Sequence, residues 1–359
     1  LDSWYDKFAF TFDRVAMDYL LRQKAEEAGA EYRVGKSVKS VETTNEGGKY
    51  KHTLKIGGGE SVEADYLVLA DGPQRRVTIP TLQQFADGDL VSEKIGPANA
   101  NHIAYQEYRR LPDEIFEDDV LRFWWGYMPG ETTYPWYFPY ADNVVEFGLT
   151  MPINLDLSTV ENRDDYLFLH DDDERVPSGG EYIKRLLEHV YGDEYDIEND
   201  LPLVEERGKK PGTETYPISS TDPIDSPVHA NIAAVGGAMG GTSAFHEGGY
   251  HIAMGTGKTA GRLIARGRID EYNREWKKGE LGREIHRNVC LAHIVRDYKP
   301  DDWDSAFRSA EISRGNMEAS LLERVSSTVG MFKILAKQKY LMNVAKKNYV
   351  QINESDYTV

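Results

Sequence analysis

The sequence predicts an α/β fold: one domain assembled from segments far apart in the chain, a mostly antiparallel sheet inserted into it, and a helical tail. Three observations predict this. Two short apolar runs, Ala64-Asp65-Tyr66-Leu67-Val68-Leu69-Ala70 and Asn231-Ile232-Ala233-Ala234-Val235-Gly236, each stop at a glycine turn. Such runs suit buried strands of a parallel sheet. Between them lie aromatic, alternating segments that suit antiparallel strands. After Asp270 the patterning is helical to about Lys347. The division this gives is 1–78 for the first part of the discontinuous domain, 79–228 for the inserted sheet, 229–270 for the returning segment and 271–359 for the helical region.

From Asp13 to Gly29 the spacing of Val15, Tyr19, Leu20 and Ala28 predicts a helix with one apolar stripe, stopped by Gly29. Tyr32 to Val41 and Tyr50 to Ile56 read as extended, and Gly57-Gly58-Gly59-Glu60 turns the chain. Leu121 to Met128, Tyr134 to Tyr140 and Val144 to Met151 read as strands, with a break at Pro129-Gly130. Asn162 to Asp200 is acidic and reads as surface helix and loop, and a helix is expected over 249–266.

Composition excludes several classes. Of 359 residues, 40% are hydrophobic and 11% aromatic, enough for a substantial core and unlike a disordered chain. A formal net charge of -18 disfavours nucleic acid, whose phosphates need a basic surface. The single cysteine, Cys290, excludes an internal disulfide and a Cys-ligated iron–sulfur cluster, and suits a reducing cytosol. No stretch has the roughly 18 apolar residues of a membrane span. Leu1-Asp2-Ser3-Trp4 has no charged n-region and no apolar h-region, and reads as a chain entered partway through. The histidines lack metal-ligand spacing, so no metal site is expected. Gly257-Lys258-Thr259 looks like the end of a P-loop, but position 252 is Ile and the segment lies within an expected helix.

Met331 to Val350 carries Lys333, Lys337, Lys339, Lys346 and Lys347 and no acidic residue, interleaved with Phe332, Ile334, Leu335, Tyr340, Leu341 and Val344. A basic amphipathic helix can rest on anionic lipid, or dock on the acidic body of its own protein. The first reading would put the chain in the cytoplasm, in peripheral contact with the inner face of the membrane.

Three separated elements point to chemistry. Arg14 opens a helix; Asp71-Gly72-Pro73 follows a strand; Gly236-Gly237-Ala238-Met239-Gly240-Gly241 follows another and continues through His246-Glu247-Gly248-Gly249 into a helix. A glycine turn lets backbone approach a ligand closely, and a helix N-terminus offers unpaired N–H groups to an anion. A fourth element is Tyr134-x-Trp136-x-Phe138-Pro139, then eight residues, then Gly148. Alternate residues of a strand share a face, so Tyr134, Trp136 and Phe138 form one aromatic wall. Such a wall suits a long apolar chain, which offers area at about 25 cal/mol per Å² and no polar handle; it is also what a plain sheet core looks like.

In this order the elements resemble the FAD-binding framework of the para-hydroxybenzoate-hydroxylase-like flavoproteins, a group that includes aromatic hydroxylases, flavin halogenases and geranylgeranyl reductases. The Tyr-x-Trp-x-Phe-Pro segment with its downstream glycine is similar to that of the geranylgeranyl reductases. The resemblance implies FAD as cofactor, held by Arg14, Val38, Asp71, Gly72, Gly236, Gly237, Ala238, Gly240, Glu247, Gly248 and Gly249. It places Tyr134, Trp136, Phe138, Pro139 and Gly148 against substrate, and His246 and Glu247 near the flavin ring. There an acid is needed, because an unactivated alkene accepts hydride only if its other carbon is protonated; turn capping is the alternative role for both. Gly237 stands where the family has aspartate, Ala244 where a proline is frequent, and Thr150 where Gly or Ala follows the glycine. No Gly-x-Gly-x-x-Gly unit precedes Arg14, so that nucleotide-binding block is expected to be missing from this chain.

The implied activity is reduction of the double bonds of a prenyl lipid, with NADPH or another reductant as electron donor. The alternatives on the same framework are a flavin monooxygenase or halogenase and a quinone-coupled dehydrogenase. The alternative from another class is a non-catalytic lipid-binding relative.

Overall fold

The computed structural model describes residues 11–86, 88–219, 223–243, 245–296, 298–314 and 320–344. Helix α1 (Arg14–Glu27) leads into β1 (Val38–Glu46), β2 (Lys49–Ile56), β3 (Glu60–Ala64) and β4 (Leu67–Leu69), then α2 (Thr78–Leu82), α3 (Gly88–Ile95) and α4 (Pro97–Ala100). The middle contains β5 (Asn101–Arg110), β6 (Arg122–Phe123), β7 (Tyr134–Pro139), β8 (Val144–Pro152), α5 (Gly179–Tyr191), α6 (Ile197–Asp200) and β9 (Thr213–Ser219). The chain ends with β10 (Val228–His229), β11 (Ile232–Ala234), α7 (Tyr250–Ile264), α8 (Tyr272–Lys278), α9 (Glu280–Val295), α10 (Pro300–Arg314) and α11 (Leu321–Val344).

The strands form three sheets. β1-β2-β3 is an antiparallel meander, β6-β7-β8-β5-β9 is a five-stranded antiparallel sheet, and β10-β11-β4 joins the two apolar runs. In the last sheet β11 lies parallel to β4, with Ile232, Ala233 and Ala234 opposite Leu67, Val68 and Leu69. Asn231 sets that register. It and Ala230 sit at φ 62 and 50 in the β10–β11 turn. Positive φ at both central residues defines the tight hairpin turn that matches strand twist. From there the Asn231 carbonyl accepts from Leu67 N at 3.0 Å, and its side chain donates to Asp65 O at 3.1 Å. Ile252 and Leu263 of α7, Trp276 of α8 and Ile285 of α9 pack with this sheet in one core.

The five-stranded sheet has two unlike faces. On one, Tyr137, Val145, Phe147 and Leu149 pack against Tyr182, Ile183, Leu186 and Leu187 of α5. That helix forms because Ser178 caps it, accepting from Glu181 N at 3.2 Å, and because its apolar residues recur at helical spacing. The acidic stretch expected as surface helix and loop therefore contributes a core helix as well. The other face carries Tyr134, Trp136, Glu146, Gly148 and Thr150.

Two expectations change. The strand expected over 121–128 shrinks to Arg122–Phe123, because Gly126 takes φ 81 and Trp125 leaves the strand to stack on Tyr134 at 4.2 Å. The apolar stripe of α1 is not buried: Val15 is 80% exposed and Tyr19 60%, and no residue of α1 is buried. Among the described residues β4 pairs on one side only. Leu1-Asp2-Ser3-Trp4, Ala244 and residues 345–350 with Lys346 and Lys347 lie outside the described residues.

Candidate active site

The parallel strands β4 and β11 end side by side, and each runs into its glycine turn there. Crevices outside the carboxyl ends of parallel strands are where open α/β sheets bind ligands. In the first turn the Asp71 carboxylate folds back on its own chain. Its Oδ2 accepts from Val77 N at 2.7 Å and Thr78 N at 3.0 Å, and its Oδ1 accepts from the Thr78 hydroxyl. That caps α2. Gly72, at φ 72, has no atom within 4 Å of where a Cβ would stand, so that side of its Cα is open, while its carbonyl accepts from Arg75 N at 3.1 Å.

Arg75 locks this turn to the second one. It is fully buried. It donates to Ala238 O at 3.2 Å, to Pro73 O and Ile95 O at 3.0 Å, to Asn101 Oδ1 at 3.1 Å and to Ser219 Oγ at 2.5 Å. Burial pulls its pKa down to about 10, against the pull of Asp71, so it stays charged at neutral pH. Its partners are mostly carbonyls from three different segments, so no local pattern announces it.

In the second turn Gly236 takes φ 53 and Gly240 φ 76. A Cβ on Gly237 would stand 3.1 Å from Pro73 Cδ, so the two glycine turns touch. Thr256 of α7 holds the turn from below, its hydroxyl accepting from Gly236 N at 3.0 Å and donating to Ile252 O at 2.7 Å. Thr259, from the P-loop-like triplet, is in mid-helix with its hydroxyl on Gly255 O at 2.9 Å. Arg14 arrives from the other side. Its guanidinium lies 5.1 Å from the centre of the Tyr250 ring, at the first position of α7, and pairs with Asp18 at 2.8 Å. Val38 stays in the meander, opposite Ile56.

Past Gly240 the loop closes on itself. Ser243 N donates to Gly248 O at 3.0 Å, and Glu247 N to Ser243 O at 2.6 Å. Glu247 takes φ 54, a strained region for a residue with a side chain. Its carboxylate is buried beneath the loop, against the five-stranded sheet. Oε1 accepts from Thr132 Oγ1 at 3.0 Å, and Oε2 from the Thr150 hydroxyl. His102 Nδ1 is 2.6 Å from Oε1, in ion-pair range but out of line for a hydrogen bond. Glu247 is therefore no turn cap: side chains from β5, β8 and the approach to β7 hold it.

His246 differs. The residue as a whole is exposed, and its Nδ1 accepts from Gly248 N at 3.3 Å within the turn. The protein packed around it, and then the stacked ring of His251, lower its pKa below the ordinary histidine value. The imidazole is neutral at pH 7.

The aromatic wall meets this loop directly. Tyr134 OH donates to His246 O at 2.5 Å. Tyr134 and Trp136 ring centres are 6.0 Å apart, and Trp136 and Phe138 stack at 5.6 Å. The reason for Gly148 is now visible: a Cβ there would stand 2.3 Å from the Trp136 ring. Beside it on the same strand, Glu146 is buried and accepts from Trp136 Nε1 at 3.1 Å and Tyr140 OH at 3.0 Å. Desolvation raises its pKa, which these hydrogen bonds oppose and Glu214 reinforces.

Thus the structure brings Arg14, the Asp71–Pro73 turn, the 236–249 loop and the Tyr134–Phe138 wall together, with Pro139 closing the wall's strand. Sequence reasoning missed Arg75, His102, Thr132, Thr150 and Glu146. Only Glu146 and Thr150 had a signal, since they share strand parity with Gly148.

The α/β fold of this chain has a counterpart among solved structures. In particular it is similar to a geranylgeranyl bacteriochlorophyll reductase-like protein from Thermoplasma acidophilum, at 17% identity and TM-score 0.64, over 94% of this chain and 78% of that one. Weaker likenesses, too low in score to carry argument, reach a flavin-dependent halogenase from a Brevundimonas species (16% identity, TM-score 0.49, 87% of this chain and 53% of that) and an anhydrotetracycline hydroxylase from Streptomyces rimosus (17%, 0.45, 92% and 56%). At these identities the likeness is one of fold. No protein-family model matches the sequence, and no curated protein matches it.

Proposed function

We propose that the chain is part of an FAD-dependent oxidoreductase that reduces carbon–carbon double bonds in isoprenoid chains. The observation that carries this reading is the Tyr134–His246 hydrogen bond, which joins an aromatic wall to a loop holding a buried carboxylate. Apolar area and an acid stand together, and alkene reduction needs both.

The residues fit FAD. Two touching glycine turns, the open Cα of Gly72 and the left-handed Gly240 suit a ligand that lies close against main chain. The residues to hold it are the Gly72 backbone, Gly236, Gly237, Ala238 and Gly240, with Arg14, Gly248 and Gly249 at the mouth; the Asp71 carboxylate is committed to α2. When bound and reduced, FAD supplies a hydride, with NADPH or another donor behind it. The chain's own part is to bind a prenyl group at the half-buried Phe138, with Tyr134 and Trp136 packed behind it in a buried cluster, to exclude water, and to supply the proton. Glu247 is the proposed source, kept in place by Thr132, Thr150 and His102. Tyr134, whose pKa burial drives far up, stays protonated and fixes the loop.

The test is a visible spectrum of the purified protein, then anaerobic incubation with reductant and a geranylgeranyl lipid. The expected product gains one H₂ per bond reduced by mass spectrometry. Glu247→Gln should keep the flavin spectrum and lose roughly 100-fold or more in turnover. Oxygen uptake with an oxygenated or halogenated product would replace this reading with a monooxygenase or halogenase. Lipid binding without flavin would leave a non-catalytic relative.

A further inference from the structure

We infer that α11 is a docking surface for an anionic lipid bilayer, joined to the aromatic wall by a continuous run of rings. The inference begins with what α11 covers and what it leaves open. Ile334 packs into a cluster with Ile294, Val295 and Trp303, which also takes in Trp125 and Phe245. Val329, Phe332 and Leu335, three residues apart, are left 49%, 72% and 56% exposed. Residues three apart on a helix are neighbours, so these form one patch. Phe307 of α10 adds an exposed ring, stacked on Trp303 at 5.9 Å.

Charge selects the occupant. The whole chain carries -18, yet Met331 to Val350 holds five lysines and no acid. Lys333 and Lys337 lie exposed on the described part of that segment. Exposed apolar side chains among lysines on a helix suit the boundary between lipid headgroups and acyl chains. Among the described residues no helix is long and apolar enough to cross a membrane, so the contact is peripheral.

The run of rings gives the surface a purpose. Trp303 is 4.7 Å from Trp125, and Trp125 stacks at 4.2 Å on Tyr134, the wall residue bonded to His246. For a prenyl chain leaving the bilayer, the exposed Phe307 ring marks the outer end of an apolar seam whose inner rings, Trp303 and Tyr134, are buried. Only this purpose rests on the prenyl-reductase reading; the surface itself does not.

The experiment is co-sedimentation of the full chain with vesicles of phosphatidylcholine alone and of phosphatidylcholine mixed with phosphatidylglycerol. Binding is expected to the mixed vesicles, to fall with salt, and to be about tenfold weaker without the anionic lipid. Phe332→Ser with Leu335→Ser should weaken binding about tenfold or more. Lys333→Glu with Lys337→Glu should do the same through charge alone, which covers the case of a double serine variant that misfolds. Val15→Ser on α1, equally exposed and apolar, should change nothing. Failure of the wild type to sediment, or equal loss in the α1 variant, overturns the proposal. So does a dimer in lipid-free solution that the α11 variants abolish, because the patch then belongs to a second copy. Reduction of a detergent-dispersed prenyl substrate is read separately: loss there with vesicle binding intact sinks the reductase reading and leaves the surface standing.

Discussion

The two faces of the five-stranded sheet are made by the same strands and solve burial in opposite ways. The face under α5 is apolar where the helix covers it, and its buried carboxylate is neutralised: Glu107 pairs with Arg109 at 2.7 Å. The face toward the glycine loop buries Glu146 among neutral donors, Trp136 and Tyr140, and Glu247 among Thr132, Thr150 and His102. A structural face matches its charges. The face toward the glycine loop holds its carboxylates by hydrogen bonds from neutral side chains, and burial raises the pKa of Glu146.

Four substitutions sharpen or break this comparison. Phe147→Ala, under α5, should cost about 4 kcal/mol in urea unfolding, as a large cavity in a closed core does; a small loss would mean that face is not the structural one. Arg109→Ala leaves Glu107 buried without its cation and should cost about 3 kcal/mol by the same measurement. On the other face, Gly148→Ala drives a methyl into the Trp136 ring and should cost roughly 2 kcal/mol, with the tryptophan signal in near-ultraviolet circular dichroism altered. Glu146→Gln should have the opposite sign. Because the folded pKa of Glu146 is raised, its contribution is full below the ordinary glutamate pKa and is lost as pH rises through the raised value. The amide removes that loss, so Glu146→Gln should gain on the order of 1 kcal/mol at pH 8 and little at pH 4, read as a Tm difference across pH. Equal gain at both pH values would show that the carboxyl's charge is not the cause.

A second contrast separates what was legible from what was not. The aromatic wall and its glycine could be read from the sequence, because strand parity is a local property and Gly148 lies one strand from Trp136. The α1 stripe is equally plain in the sequence, yet Val15 and Tyr19 are exposed. Periodicity reports that a helix has an apolar face, not that anything covers it. For His246 and Glu247 alike the sequence leaves two roles open, acid or turn cap. The structure divides them, since His246 bonds within its turn while Glu247 turns into the sheet.

By itself the sequence determined the alternation of strand and helix, the two apolar runs ending in glycine turns, the wall of Tyr134, Trp136 and Phe138, and the charge contrast between the acidic body and its basic tail segment. All of these are patterns within a few neighbouring residues. The tertiary structure alone decided that Arg75 would be buried across both glycine turns, that Thr132, Thr150 and His102 would gather on Glu247, and that Glu146 would find only neutral partners among the described residues. A buried charge is defined by the groups that replace its water, and here those groups come from strands and loops that only the folded chain brings within hydrogen-bonding distance.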